Sequence, residues 1–134
     1  MSNSSRALVD TSVFIARETG RRLNRNRIPD DLAVSVITLG ELRQGVLSAG
    51  NVTLRDNRLV TLDVAQSWGA LPVDYDVASA WARLRLLLLE TGRQMPVNDS
   101  WIAATASAAG LPILTQDDDF DAVHGLDGMV VIKV

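Results

Sequence analysis

The chain is 134 residues long, with 47% hydrophobic and 22% charged positions, enough for one globular domain with a sizeable core and too little for two. Its 16 acidic residues against 13 basic ones leave a formal net charge of -3, which argues against holding nucleic acid by bulk positive charge. With no cysteine and a single histidine, His124, disulfide frameworks, thiolate zinc sites, two-imidazole ribonucleases and multi-His zinc hydrolases are excluded, so acid–base or metal chemistry must rest mainly on carboxylates.

Residues 1–6 are polar rather than signal-like, and the longest leucine run, 86–89, falls far short of the ~20 residues of a membrane span; a soluble, cytoplasmic protein is expected. Residues 7–9 read as a short buried strand, and Asp10, Thr11 and Ser12 supply a helix start before Val13, Phe14 and Ile15. Five arginines (17, 21, 22, 25 and 27) with Gly20 then break this helix into an exposed connection. The β-branched run 32–37 predicts a second strand, after which Thr38 opens a helix carrying Leu39, Leu42 and Val46. Thr53 with Asp56 resembles a capping box and introduces a helix whose Val60, Val64 and Trp68 share a face. After Gly69, residues 71–73 make a short extended piece. The clearest amphipathic stripe follows, at Val77, Ala80, Trp81, Leu84 and Leu88. Leu86 and Leu89 fall off that stripe and are read as covered by a neighbouring segment rather than exposed for a partner subunit. A helix over 98–109 ends at Gly110, residues 111–115 and 129–134 read as strands, and an acidic segment lies between them. This alternation predicts a parallel sheet covered on both faces.

In an open parallel sheet, ligands bind beyond the carboxyl ends of the strands, so acids there carry most weight. Asp10 follows the first strand, Glu41 is placed in the first turn of the helix after the second, Asp99 begins the 98–109 helix, and Asp117, Asp118 and Asp119 follow the 111–115 strand. Each has a plain structural explanation: Asp10 as an N-cap, Asp99 as a helix-dipole partner, the triple Asp with Asp121 as a solvated loop. Glu41, between apolar Leu39 and Leu42 and near Gly40 and Gly45, fits such an explanation less well. Jointly, these carboxylates can converge on one cleft, where clustered like charge calls for a divalent cation. Mg²⁺ takes oxygen ligands and is usually held by one or two carboxylates plus substrate phosphate. Phosphodiester hydrolysis by metal-activated water is the reaction class that needs no help from His, Lys or Cys.

The blocks Leu8-Val9-Asp10-Thr11-Ser12, Ile37-Thr38-Leu39-Gly40-Glu41-Leu42, Asn98-Asp99-Ser100-Trp101-Ile102-Ala103-Ala104 and Leu114-Thr115-Gln116-Asp117-Asp118-Asp119-Phe120 resemble the four signature blocks of PIN-domain ribonucleases. The likeness is greatest to the VapC toxins of bacterial type II toxin–antitoxin pairs, and it spans residues 7–134 in family order. It implies an α/β fold, a PIN-like three-layer α/β/α sandwich with a mainly parallel central sheet, formed by residues 1–134 as a single PIN domain. The implied activity is a Mg²⁺-dependent (or Mn²⁺-dependent) endoribonuclease with the acidic quartet Asp10, Glu41, Asp99 and Asp117 and with Asp119 as an additional acid. Asp10 and Asp99 match the family's principal metal ligands; Glu41 and Asp117 complete the pocket and position or deprotonate the attacking water. Asp119 stands close enough in sequence to share or replace the role of Asp117. Thr11, Ser12 and Thr115 match hydroxyl positions near metal or scissile phosphate, with capping and strand-end hydrogen bonding as their plain alternative. The implied partners are RNA (tRNA or ribosomal RNA, cut to block translation), a small VapB-like antitoxin whose tail blocks the cleft, often with an inserted Arg, and a second copy in a homodimer; no membrane is implied.

A phospho-accepting receiver domain has similar size and an acidic pocket, but Thr11 follows Asp10 where a second acid is needed and Lys133 is penultimate. The competing reading from another class is a catalytically silent PIN fold that binds RNA or a partner; the presence of every acid argues against it. The arginines of 17–27 could meet RNA phosphates, but such a run reads best as a solvated connection. His124 reads as a loop residue, and Trp68, Trp81 and Trp101 as core rather than base-stacking platforms. Without the quartet the rest of the chain is net positive, so its acidity is largely the signature of the site.

Overall fold

A computed structural model describes residues 6–134; of the polar N-terminal stretch, residues 1–5 lie outside the described residues. The apolar runs form five strands: β1 (Arg6–Val9), β2 (Asp31–Ser35), β3 (Ala70–Leu71), β4 (Ile113–Thr115) and β5 (Val131–Lys133). They make one sheet in the order β3-β2-β1-β4-β5 with every pairing parallel. The helices are α1 (Thr11–Glu18), α2 (Val36–Leu47), α3 (Val52–Gln66), α4 (Tyr75–Glu90) and α5 (Val97–Ala109). Alternate side chains of each strand feed opposite cores. Leu8, Ala33 and Ile113 pack with Leu84, Leu88 and Ile102 of α4 and α5, whereas Ala7, Val9, Val34 and Leu114 pack with Val13, Phe14, Leu42 and Leu62 of α1, α2 and α3. Burial on both faces is why these strands read as continuous apolar runs. The result is the expected three-layer α/β/α arrangement, and its sheet is wholly parallel. The chain moves outward from β1 to β3 and then returns to β4, so strand order reverses between β1 and β4, the point where such sheets bind ligands. No described helix is long and apolar enough to cross a membrane.

Several boundaries differ from expectation because side-chain caps decide them. The second strand stops at Ser35, whose Oγ accepts from the Ile37 amide at 3.0 Å and starts α2 at Val36 rather than Thr38; a Ser cap outweighs the β propensity of Val36 and Ile37. Glu41 consequently lies in the second turn of α2, not the first. Asn51, not Thr53, caps α3, accepting from the Leu54 amide at 2.8 Å. The buried side of α3 centres on Leu62 and Ala65, leaving Val60 63% exposed and Val64 and Trp68 half-buried. Along α4 the predicted stripe faces the core at Val77, Leu84 and Leu88. Leu86 and Leu89, expected to be covered, are 55% and 78% exposed, since α4 is an outer-layer helix with one face on the sheet. The acidic segment is more ordered than a solvated loop: it winds into two 3-10 turns, Asp119–Val123 and Leu126–Gly128, and Phe120 and Val123 enter the core completely.

Candidate active site

Asp10 leaves β1 in extended conformation and caps α1. Its Oδ2 accepts from the Ser12 amide at 3.3 Å, the Ser12 hydroxyl at 2.7 Å and the Thr115 hydroxyl at 3.0 Å. Capping and site membership are thus the same feature. Asp10 is 2% exposed, and burial pushes its carboxyl above the ordinary range against the lowering effect of the Ser12 and Thr115 hydrogen bonds. All three bonds fall on Oδ2, which leaves Oδ1 as the oxygen available to a ligand in the cleft. Ser12 Oγ also accepts from the Gln116 amide at 2.9 Å, and Thr115 Oγ1 accepts from the Asp117 amide at 3.0 Å. These two hydroxyls therefore lock the end of β1 to the end of β4, and Thr115 is fully buried behind Asp10.

The opposite wall is built by α2 and α5. Thr11 Oγ1 donates to Glu41 Oε1 at 2.6 Å and lies 3.1 Å from Thr38 Oγ1. A threonine hydroxyl has one proton; that of Thr11 is directed at Glu41, with Thr38 Oγ1 as its second, longer acceptor. Asn98 Nδ2 approaches Glu41 Oε2 at 3.5 Å. Asp99 sits in the first turn of α5, whose N-cap is Pro96 without a side-chain cap. Trp81 Nε1 donates to Ser100 Oγ at 3.0 Å, and the Trp81 and Trp101 rings stack at 4.4 Å, fixing this turn against α4. Trp68 lies 5.0 Å from the Phe14 ring, so all three tryptophans pack within the protein. Burial, and then the charges of Asp10, Asp119, Glu41 and Asp117, push Asp99 up to about 7.

The aspartate run divides. Asp117 and Asp119 line the same cleft as Asp10, Glu41 and Asp99, whereas Asp118 turns outward to Lys133, which also meets Asp121 Oδ1 at 3.1 Å. Burial and the charge of Asp119 raise Asp117, opposed by the nearby Arg21. Thr11, Ser12, Asn98 and Arg21 complete the lining of a cleft of about 570 Å³, a size typical of ligand sites. His124 stays outside it, its Nδ1 accepting from the Val131 amide at 3.0 Å.

This donor set is all oxygen and mutually repulsive, which suits a hard divalent cation. Among the described residues no group of three or more acids or histidines is gathered tightly enough to hold an ion as it stands. A Mg²⁺ site needs only one or two protein carboxylates, so Asp10 with Asp99 fits that demand. Of the acids singled out from the sequence, Asp10, Glu41, Asp99, Asp117 and Asp119 line this cleft, and Asp118 and Asp121 do not. Sequence reasoning missed the parts played by Thr38, Asn98, Arg21 and Gln116. The spacing of Thr38 and Glu41, three apart on one helix, was a usable signal; Gln116 offered none.

The chain is similar to known proteins along most of its length. The PIN domain family matches residues 7–126. Ribonuclease VapC5 of Mycobacterium tuberculosis is 50% identical over 127 residues, covering 95% of this chain and 94% of the relative. Ribonuclease VapC4 of the same organism is 45% identical over 130 residues, covering 96% and 99%. The crystal structure of VapBC-5, a toxin–antitoxin system member from Mycobacterium tuberculosis, superposes with a TM-score of 0.90 at 47% identity, covering 97% of this chain and 99% of that one. FitAcB from Neisseria gonorrhoeae gives 0.72 at 27% identity, covering 94% and 96%.

Proposed function

This chain belongs to the PIN-domain family, among its VapC toxins, and from that premise we propose that it is the toxin of a toxin–antitoxin pair, an endoribonuclease that hydrolyses tRNA or ribosomal RNA and so stops translation. The observation that carries this reading is the meeting of Asp10, Glu41, Asp99, Asp117 and Asp119, from both sides of the sheet's switch point, in one cleft. We assign Asp10 and Asp99 as the residues that hold a divalent cation, Mg²⁺ or Mn²⁺, which when bound supplies Lewis acidity and positive charge at a phosphodiester. Glu41, oriented by Thr11 and Asn98, and Asp117, fixed through its amide to Thr115, position the attacking water, and one of them takes the single proton it loses. Asp119 stands by as a second acceptor beside Asp117. As the water oxygen bonds to phosphorus, the P–O3′ bond breaks and the departing oxygen takes up a proton. The products are a 5′-phosphate and a 3′-hydroxyl.

The natural partner under this reading is a VapB-type antitoxin, since solved relatives are toxin–antitoxin complexes; the working form is a homodimer in the cytoplasm. The test incubates antitoxin-free protein with total RNA and Mg²⁺ or Mn²⁺, beside Asp10→Asn and Asp99→Asn. Cutting by wild type alone, with 5′-phosphate ends, is the expected result. Equal cutting by the variants would remove the site assignment, 2′,3′-cyclic phosphate ends would remove the water mechanism, and RNA bound yet uncut would favour a silent binding module.

A further inference from the structure

Resting on the ribonuclease reading, we propose that Arg21 forms a phosphate-binding subsite of the cleft, gripping the RNA backbone next to the scissile bond, and that Gln116 is the positioning residue that keeps it there. Just past α1 and its Thr19 C-cap comes Gly20, whose φ of +76° is a conformation that favours glycine. The Arg21 amide then returns to Ala16 O at 2.8 Å, turning the chain back toward the cleft. Gln116 Nε2 donates to the carbonyl oxygens of both Arg22 and Val134, each at 3.0 Å, and the Asn24 amide donates to Val134 O at 3.3 Å. The connection between α1 and β2 is therefore pinned across the ends of β4 and β5, unlike the solvated loop its composition suggests.

This pinning singles out one arginine. Arg21 lines the cleft beside Asp117, while Arg17, Arg22, Arg25 and Arg27 do not. Among the described residues Arg21 makes no ion pair, although five carboxylates share its cleft; Lys133, by contrast, is taken by Asp118 and Asp121. It is a cation held near acids without being consumed by any of them. An RNA strand entering a cleft of carboxylates meets repulsion that a guanidinium offsets, and the planar fork matches two phosphate oxygens. The subsite reads charge and shape rather than base identity.

The probe is a fluorescein-labelled, mixed-sequence 12-nucleotide RNA, its binding followed by anisotropy over a salt series. Ca²⁺ is present because it fills oxygen sites without the octahedral precision of Mg²⁺. Arg21→Ala is expected to weaken binding about tenfold and to flatten the slope of log K against log salt by about 0.7, the share of one phosphate contact on a single strand. Arg21→Lys keeps the slope and recovers part of the affinity. Arg55→Ala, which removes one charge from the exposed surface of α3, changes neither. Gln116→Ala weakens binding less than Arg21→Ala, and the double variant is no weaker than Arg21→Ala alone; Gln116→Glu serves if Gln116→Ala does not fold. If wild type binds and cuts RNA but Arg21→Ala matches Arg55→Ala, this inference falls and the ribonuclease reading stands. If the losses at Arg21 and Gln116 simply add, the positioning role falls. If wild type neither binds nor cuts RNA, both fall.

Discussion

Asp117 and Asp119 on one side and Asp118 on the other are neighbours in sequence with opposite surroundings. The first two line a cleft already holding Asp10, Glu41 and Asp99, and burial with like charge raises Asp117 and Asp99. The third faces water and Lys133. One region concentrates negative charge at a cost to the fold, and the other disperses it at the surface. Phe120 is fully buried beside them, and Asp119, although exposed, stands on the rim of the cleft while Asp118 reaches Lys133. A site that stores repulsion is one prepared to take a cation and a phosphate.

The strongest way to break this contrast is Asp99→Asn. Cleavage should fall by about 10³-fold, ~4 kcal/mol of barrier, while the metal-free protein at pH 8 should melt higher because repulsion is relieved. A lower melting temperature would mean that the cluster is not under strain. Removing the buried ring comes next: Phe120→Ala should cost about 3–5 kcal/mol in chemical denaturation and reduce activity through Asp119. Unchanged stability would show that the 3-10 turn does not depend on this ring.

The pH dependence tests the electrostatics directly. Asp99 has an ordinary value of 3.8 and lies near 7 in the fold, so between those values the native state binds the extra proton. Stability of the metal-free protein should therefore decline as pH rises from about 4 to 7 on account of this group, with Asp10 and Asp117 acting in the same direction. Mg²⁺ should flatten the decline and bind more tightly as pH rises through 7, readable by thermal melts with and without the ion; a decline untouched by Mg²⁺ would place the strain elsewhere.

Smaller effects sharpen the comparison. Thr38→Val keeps the shape of a fully buried residue and removes the hydroxyl that accepts from Thr11 and helps to hold it against Glu41. Turnover should drop about tenfold with KM little changed, and an equal loss in KM would mean that Thr38 acts on binding rather than on the placement of Thr11 and Glu41. Smallest of all, Asp118→Asn should leave cleavage at wild-type rate, because its carboxylate faces Lys133 in solvent; a loss comparable to that of Asp117→Asn would erase the distinction between the two regions.

Much of this was legible in the chain. Strand ends at Asp10 and before Asp117, the amphipathic stripe of α4 and the Gly110 stop follow from local patterns and short-range sterics. The start of α2 was not legible, since Ile37 and Val36 have strand propensity and only the Ser35 cap overrules it. Nor was the exposure of Leu86 and Leu89, which depends on what packs against α4.

The sequence by itself determined which elements form, in what order, and that the candidate site is built of carboxylates at and near strand and helix ends, because periodicity, caps and residue inventory are local properties. Only the tertiary structure decided which aspartates of the 117–119 run line the cleft, that Thr38 accepts from the Thr11 hydroxyl beside Glu41, that Gln116 holds the Arg22 carbonyl next to Arg21, and that Asp99 is pushed to about 7. Those outcomes depend on distances between residues far apart in the chain, such as Asp10 and Thr115, and on the low dielectric that packing creates around them.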